Sequence, residues 1–351
     1  MTTMKEIAEK TGVSVSSVSL VLNGRDSGRV KPEIARRVRE TAERLGYKPN
    51  PLARSLRTSH TRILGFISEE IATTPFAGGI ILGAQDAAST FGYMLITVNT
   101  DGCADEANQI AALRRYGVDG FLYAKMSNRI TQVPKELEAC PTVLVDASDR
   151  DGRLPGITPD EHAIGYDGTM RLVKAGCTRI AYVGCARPMV AQIERFAGYR
   201  KALEDAGLPF DEALTVDVMY HRPAQDAVDR LVDDMHPDGV FCWNDARALY
   251  VYQSALKLGL TIGRDLSVVG VDNHRLIAET VVPELTTVEL PHYEMGYWAV
   301  CKAIALIEGR QPDASRFPHT TAPLPPLDGK PQVKVHCALV EKDSVASGGR
   351  R

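Results

Sequence analysis

The 351-residue sequence has no uninterrupted apolar stretch long enough to span a bilayer. Its polar N-terminus enters a helical pattern without the apolar core of a signal peptide, so a cytoplasmic protein with no membrane partner is expected. Cysteine is sparse and scattered: Cys103, Cys140, Cys177, Cys185, Cys242, Cys301 and Cys337 are odd in number and never spaced as CxxC. That pattern disfavours a disulfide frame or a zinc site and leaves buried reduced thiols. The signatures of common catalysts on an α/β scaffold are also missing. No G-x-G-x-x-G follows the first apolar strand, and neither a Walker loop nor a G-x-S-x-G elbow occurs. The eight histidines make no metal-spaced cluster. His221, His274 and His292 read as surface or loop residues, and no catalytic residue, metal or cofactor is expected.

What the sequence does have is a charge asymmetry hidden by a net charge of only −3. Residues 1–62 carry 13 Lys and Arg against 6 Asp and Glu, whereas the remaining 289 carry 28 against 38. A cationic head on an anionic body suits a phosphate-binding module better than a merely solvated basic face. At 44% apolar content the whole chain can bury large cores in two or three domains.

The head resolves into three short helices. Thr3 and Glu6 form a capping box ahead of Met4, Ile7, Ala8 and Thr11, and Gly12 ends that helix. Ser14 caps a second helix that buries Val18, Val21 and Leu22 and leaves Val15, Ser16, Ser19 and Leu20 on the opposite face. The third starts at Pro32, places Ile34, Val38, Ala42 and Leu45 on one side, and stops at Gly46 before Pro49. Two helices joined by a tight Gly-containing turn, closed by a third, make a helix-turn-helix unit.

Lys5-Glu6-Ile7-Ala8, Gly12-Val13-Ser14, Val18 to Asn23 and Leu45-Gly46-Tyr47-Lys48-Pro49-Asn50 together resemble the N-terminal signature of the LacI family of bacterial transcription regulators. The resemblance implies a second helix in the DNA major groove, with Val15, Ser16 and Leu20 at the base-reading positions. Val15 and Leu20 depart from the commoner polar or basic choices; they can pack on thymine methyls, while Ser16 and Ser19 can donate or accept. Ser14, Asn23 and Tyr47 are expected to hold phosphates and set register. Residues 50–56 resemble the family's hinge helix, which implies that Asn50, Ala53 and Arg54 lie against DNA and that Leu56 wedges into the minor groove. A linker whose Leu56 packs on the next domain is the competing reading.

After residue 61, apolar runs at 63–67, 94–98, 120–124 and 142–145 alternate with amphipathic stretches at 78–91 and 106–116. The pattern recurs with strands at 180–183, 214–216, 240–242 and 266–270 and helices at 196–206, 224–235 and 246–258. Alternation of this kind implies parallel sheets covered on both faces, hence two doubly wound α/β halves. Gly92-Tyr93, Val118-Asp119-Gly120, Asn244-Asp245 and Leu285-Thr286-Thr287-Val288 extend the resemblance to the family's effector domain, itself similar to periplasmic sugar-binding proteins. By resemblance the chain crosses between halves near 156–159, near 288–291 and near Cys337. The expected layout is a DNA-binding domain at 1–48, a hinge at 49–60 and an effector and dimerisation domain at 61–340. Its halves are 61–157 with 291–336 and 158–288 with 337–344, leaving 345–351 as a disordered tail; the Pro-rich stretch 312–331 reads as a surface loop.

Parallel sheets bind ligands beyond the carboxyl ends of their strands, so two facing halves place a cleft at their junction. Glu69, Thr73 and Phe76, then Asp146, Asn244 and Asp272, follow strands, and Arg195 is expected to begin a helix facing the same cleft. The set suits a hydroxylated ligand, with Phe76 or Trp243 covering a sugar's apolar face. Resemblance assigns effector contact to Asp146, Arg195, Asn244 and Asp272, although Asp272 and Asn244 can equally cap loops and Trp243 reads better as core. The expected function is a dimeric repressor on a pseudo-palindromic operator, tuned by a small, carbohydrate-like effector. The alternatives are a cytosolic sugar-binding protein or an enzyme on the same scaffold. Leu20→Arg is expected to change the preferred operator base, and an unchanged consensus from binding-site selection would exclude apolar readout at that position.

Overall fold

The computed structural model describes residues 2–47, 60–75, 77–100 and 105–346. The chain divides between Arg62 and Ile63 into two compact units. The hinge residues Asn50, Ala53, Arg54 and Leu56, as well as Phe76, lie outside the described residues.

In the first unit, α1 (Met4–Thr11), α2 (Val15–Leu22) and α3 (Pro32–Arg44) enclose a small core built on Ile7, Val18, Val21, Ala35, Val38 and Ala42. Local chemistry sets each boundary. The Glu6 N–H donates to Thr3 Oγ1 at 3.3 Å, the Ser17 N–H donates to Ser14 Oγ at 3.1 Å, and Gly12 ends α1 at φ +66°.

The second unit contains two six-stranded sheets. Strands β1 (Ile63–Glu69), β2 (Met94–Thr100), β3 (Gly120–Thr131), β4 (Thr142–Asp149), β5 (Gly156–Pro159), β6 (Ile180–Cys185), β7 (Thr215–Val218), β8 (Gly239–Cys242), β9 (Ser267–Val271), β10 (Thr286–Val288), β11 (Gln332–Val335) and β12 (Leu339–Val340) are numbered along the chain. The first sheet runs β11-β5-β4-β3-β1-β2 and the second β12-β10-β9-β8-β6-β7. All pairings are parallel except β10 with β12. Each sheet has an apolar core on both faces, which is why its strands read as continuous apolar runs. The chain leaves the first sheet after β5, returns after β10 and leaves again after β11.

Two helix pairs lean on glycine. Helices Gly78–Thr90 and His292–Glu308 approach so closely that a Cβ on Gly83 would lie 1.9 Å from the Tyr293 carbonyl oxygen, and one on Gly296 equally close to that of Ile80. The second half repeats the device between helices Glu161–Lys174 and Val190–Asp205, where Gly165 meets the Arg195 carbonyl oxygen and Gly198 that of His162.

Several expectations are corrected. Helix Glu161–Lys174 was not expected, and helix Val190–Asp205 starts six residues before the anticipated 196, so Arg195 stands in its second turn rather than at its start. The expected tail is tied into the body up to Ala346. Just before it, Ser344 Oγ donates to the Val268 carbonyl at 2.6 Å and accepts from the Thr286 N–H at 2.8 Å; in the tail itself Val345 is buried and the Ala346 N–H donates to Ser267 Oγ at 3.3 Å. The Pro-rich stretch is a surface loop, but an anchored one: Trp298 Nε1 donates to the Pro325 carbonyl at 2.9 Å, and Lys302 Nζ to that of Leu327. Among the described residues, Cys140, Cys177, Cys185, Cys242, Cys301 and Cys337 are free thiols, all but Cys140 buried.

Gly83→Ala is expected to force its helix pair apart and cost about 1–3 kcal/mol, outweighing the gain in helix propensity. Gly78→Ala, whose Cβ meets nothing within 4 Å, should be neutral or stabilising. Opposite shifts of the two urea midpoints would confirm this, and equal shifts would exclude it.

Candidate functional site

On α2 the core side is Val18 and Val21, so Val15 (45% exposed) and Ser16 face solvent, with Ser19 and Leu20 half-buried beside them. Two expected phosphate holders have local duties as well. Ser14 is the N-cap of α2, and Asn23 Nδ2 donates to the Ser19 carbonyl at 2.6 Å at its other end. Tyr47 packs half-buried against the head's core.

In the body, the centre of the arrangement is Arg195. Its guanidinium is buried, donating from Nε to Glu161 at 2.7 Å and from Nη1 to the Trp243 carbonyl at 2.6 Å. The close helix pair makes this geometry possible, because Glu161 opens one helix and Arg195 lies on the other. Arg247, equally buried, donates to the carbonyls of Gly184 and Val218 and to Asn244 Oδ1. Both guanidinium carbons stand 4.8 Å from the Trp243 ring centroid. Trp243 is half-buried, and its Nε1–H is buried without a hydrogen-bond acceptor.

Asn244 is the N-cap of helix Asp245–Leu258, its Oδ1 accepting the Arg247 N–H at 3.1 Å; the capping role allowed for it is the one observed. Next to it, buried Asp245 accepts from Thr287 Oγ1 at 2.6 Å and from the His274 N–H at 2.7 Å, thereby fixing the turn that presents Asp272. Burial pushes the Asp245 carboxyl up to about 7 against those two donors. Asp272, at φ +108° and half-buried, is pushed well above the usual carboxylate range by burial and by Asp245, with Arg195 opposing.

Asp146 is buried beneath a bulge. The β3–β4 register shifts between Ala124 and Arg129, and the Asp146 carboxylate accepts the N–H groups of Ser127 and Asn128 at 2.8 Å each. Burial and the nearby Glu161 nevertheless push its carboxyl up to about 8. Glu69 is drawn into a different network, bridging Lys125 and Arg129 while Lys125 also reaches Glu106 at 2.9 Å. Burial works against its charge, but the two cations hold Glu69 below the usual range. Thr73 is exposed and donates to the Glu70 carbonyl.

A cavity of about 520 Å³ opens between the halves, with Pro75, Gly79, Tyr293 and Glu294 on one side and Asp272, His274 and Glu289 on the other. Of the described residues expected to bind effector, only Asp272 lines it. Arg195, Trp243 and Asn244 form a linked group with Arg247, whereas Glu69, Asp146 and Thr73 are not in its wall. Of the three histidines read as surface or loop residues, His292 is corrected, being buried at the start of a helix; it lines the cavity with His274, a loop residue as expected, and His319. They come from three separate segments, so no sequence spacing joins them. Glu161, Asp245 and Arg247 were also missed; Asp245 and Arg247 lie within three residues of the assigned Asn244, whereas Glu161 is near no assigned position.

A carboxyl whose folded pKa is raised favours the folded state below its unfolded pKa, and that contribution fades as pH rises through the folded value. Asp146 should therefore lower stability progressively between about pH 4 and pH 8. Asp146→Asn lacks this titration, so the stability gap between parent and variant should narrow over that window in urea unfolding; a constant gap would exclude it.

The profile described as "Bacterial regulatory proteins, lacI family" matches residues 3–50, and the profile "Periplasmic binding protein-like domain" matches residues 169–324. The HTH-type transcriptional regulator RegA of Clostridium saccharobutylicum is 32% identical over 322 residues, covering 90% of this chain and 96% of that protein. The sucrose operon repressor of Escherichia coli is 30% identical over 89% of this chain and 95% of its own length. The lac repressor dimer bound to operator and the anti-inducer ONPF shares the fold at a TM-score of 0.73, with 21% identity and 99% of both chains covered. These relatives are transcription regulators, not enzymes. With a sequence relationship running through head and body alike, the chain belongs to the LacI family of DNA-binding transcription regulators.

Proposed function

We propose that this chain is a dimeric repressor of a pseudo-palindromic operator, whose DNA affinity is set by a carbohydrate-like effector held between the two halves of its body. The observation that carries the effector part is the 520 Å³ cavity walled by both halves. A ligand there makes different contacts when the halves close, and such differential contact is what shifts a conformational equilibrium. Asp272 and Glu289 offer acceptors to hydroxyl groups, and Tyr293 offers a ring. The names of relatives point the same way: a sucrose operon repressor and, at 31% identity over 86% of this chain, the ribose operon repressor of Escherichia coli.

For DNA, the proposal places α2 in the major groove with Val15, Ser16, Ser19 and Leu20 toward the bases and Ser14, Asn23 and Tyr47 toward phosphates. Asn50, Ala53, Arg54 and Leu56 supply the minor-groove hinge, coupling the body's closure to the head's grip. Two heads on a two-fold dimer then meet two half-sites.

Coupling between the two ligands is reciprocal by thermodynamic necessity. Sucrose, ribose and cellobiose can each be titrated into the full chain with and without operator recovered by binding-site selection. A sugar that changes operator affinity by some factor should have its own affinity changed by the same factor. Identical sugar affinities in both titrations would remove the proposed allostery.

A further inference from the structure

The charges around the cavity are unevenly committed. Arg195 donates from Nε and Nη1 to Glu161 and the Trp243 carbonyl, and Arg247 donates to two backbone carbonyls and Asn244. Neither arginine lines the cavity. On the acidic side, Glu294 is also committed, accepting the N–H groups of Thr321 at 2.9 Å and Ala322 at 3.3 Å and so pinning the Pro-rich loop as a wall of the cavity. The carboxylates of Asp272 and Glu289 line the same cavity and accept no hydrogen bond from the described residues. Arg275 is the one Lys or Arg among the described lining residues. Its side chain is 84% exposed and paired at 3.4 Å with Glu279, so it stands in water at the rim.

We infer that this site selects an uncharged polyol and rejects the phosphorylated form of the same sugar, with Glu289 as the discriminating group. This rests on the carbohydrate reading above and adds the charge class of the ligand. The reason is an asymmetry of pairing. A hydroxyl donates to the Glu289 carboxylate and satisfies it, whereas a phosphate brings acceptors only and puts like charge beside it in a partly desolvated space. His274, His292 and His319 share the cavity, and the test is made at pH 8.

The test is a thermal-shift titration of the full chain at pH 8 with four matched pairs: sucrose and sucrose 6-phosphate, ribose and ribose 5-phosphate, glucose and glucose 6-phosphate, fructose and fructose 6-phosphate. At least one neutral sugar is expected to raise Tm at a concentration at least tenfold below that needed by its phosphate, a difference of about 1.4 kcal/mol or more. In Glu289→Gln the same ratio should shrink several-fold, which a purely structural role for Glu289 would not produce. A phosphate that matches or exceeds its neutral partner overturns the inference and leaves the carbohydrate reading standing, as does a ratio unmoved by Glu289→Gln for the role of that residue. No response to any of the eight compounds removes the carbohydrate reading and this inference with it.

Discussion

The buried pairing of Arg195 with Glu161 is the constraint on which the body's arrangement rests. Desolvating a guanidinium costs several kcal/mol unless it is paired and fully hydrogen-bonded, and removing one partner of such a pair typically costs about 3–5 kcal/mol. Arg195 therefore cannot drift. It holds the end of β8 through the Trp243 carbonyl and the start of helix Glu161–Lys174 through Glu161, directly after the chain's first passage between sheets. Trp243, Asn244, Asp245 and Arg247 then inherit their positions from that anchor, and Asp245 passes the constraint on to the turn carrying Asp272.

Polar anchoring of this kind needs backbones that can come close, and glycine provides it twice. The helix pair of the first half meets through Gly83 and Gly296, that of the second through Gly165 and Gly198. The functional consequence differs between them. In the second half the glycine contact lies at the Arg195 carbonyl itself, so packing and ion pairing position the same residue. In the first half the contact is at Tyr293, which borders the cavity.

The layered architecture was legible because strands buried on both faces read as unbroken apolar runs, and the head because Thr3, Gly12, Ser14, Pro32 and Gly46 mark helix ends by local chemistry. Helix Glu161–Lys174 escaped because Gly165 and Gly168 weaken the pattern that periodicity relies on, and with it went Glu161. Position after a strand picked out Asp272, which lines the cavity. It also picked Glu69, which is outside the cavity wall and pairs with Lys125 and Arg129 on a part of β3 that runs beyond the apolar segment, across a bulge no local signal announces. Val345 and Ala346 read as tail because what holds them is distant in sequence: the Ala346 N–H donates to Ser267 Oγ, 79 residues back.

The three passages between sheets make the body's halves inseparable as pieces of chain: each is assembled from segments distant in sequence, and the last segment, through β12 and Ser344, closes the second. The head, by contrast, is one contiguous stretch joined to the body by a single connection. Recombination can thus exchange one reader for another in a single cut, whereas the sensing body has to be inherited whole. A crossover where the head meets the body therefore leaves the interleaved halves intact, and one anywhere within the body does not.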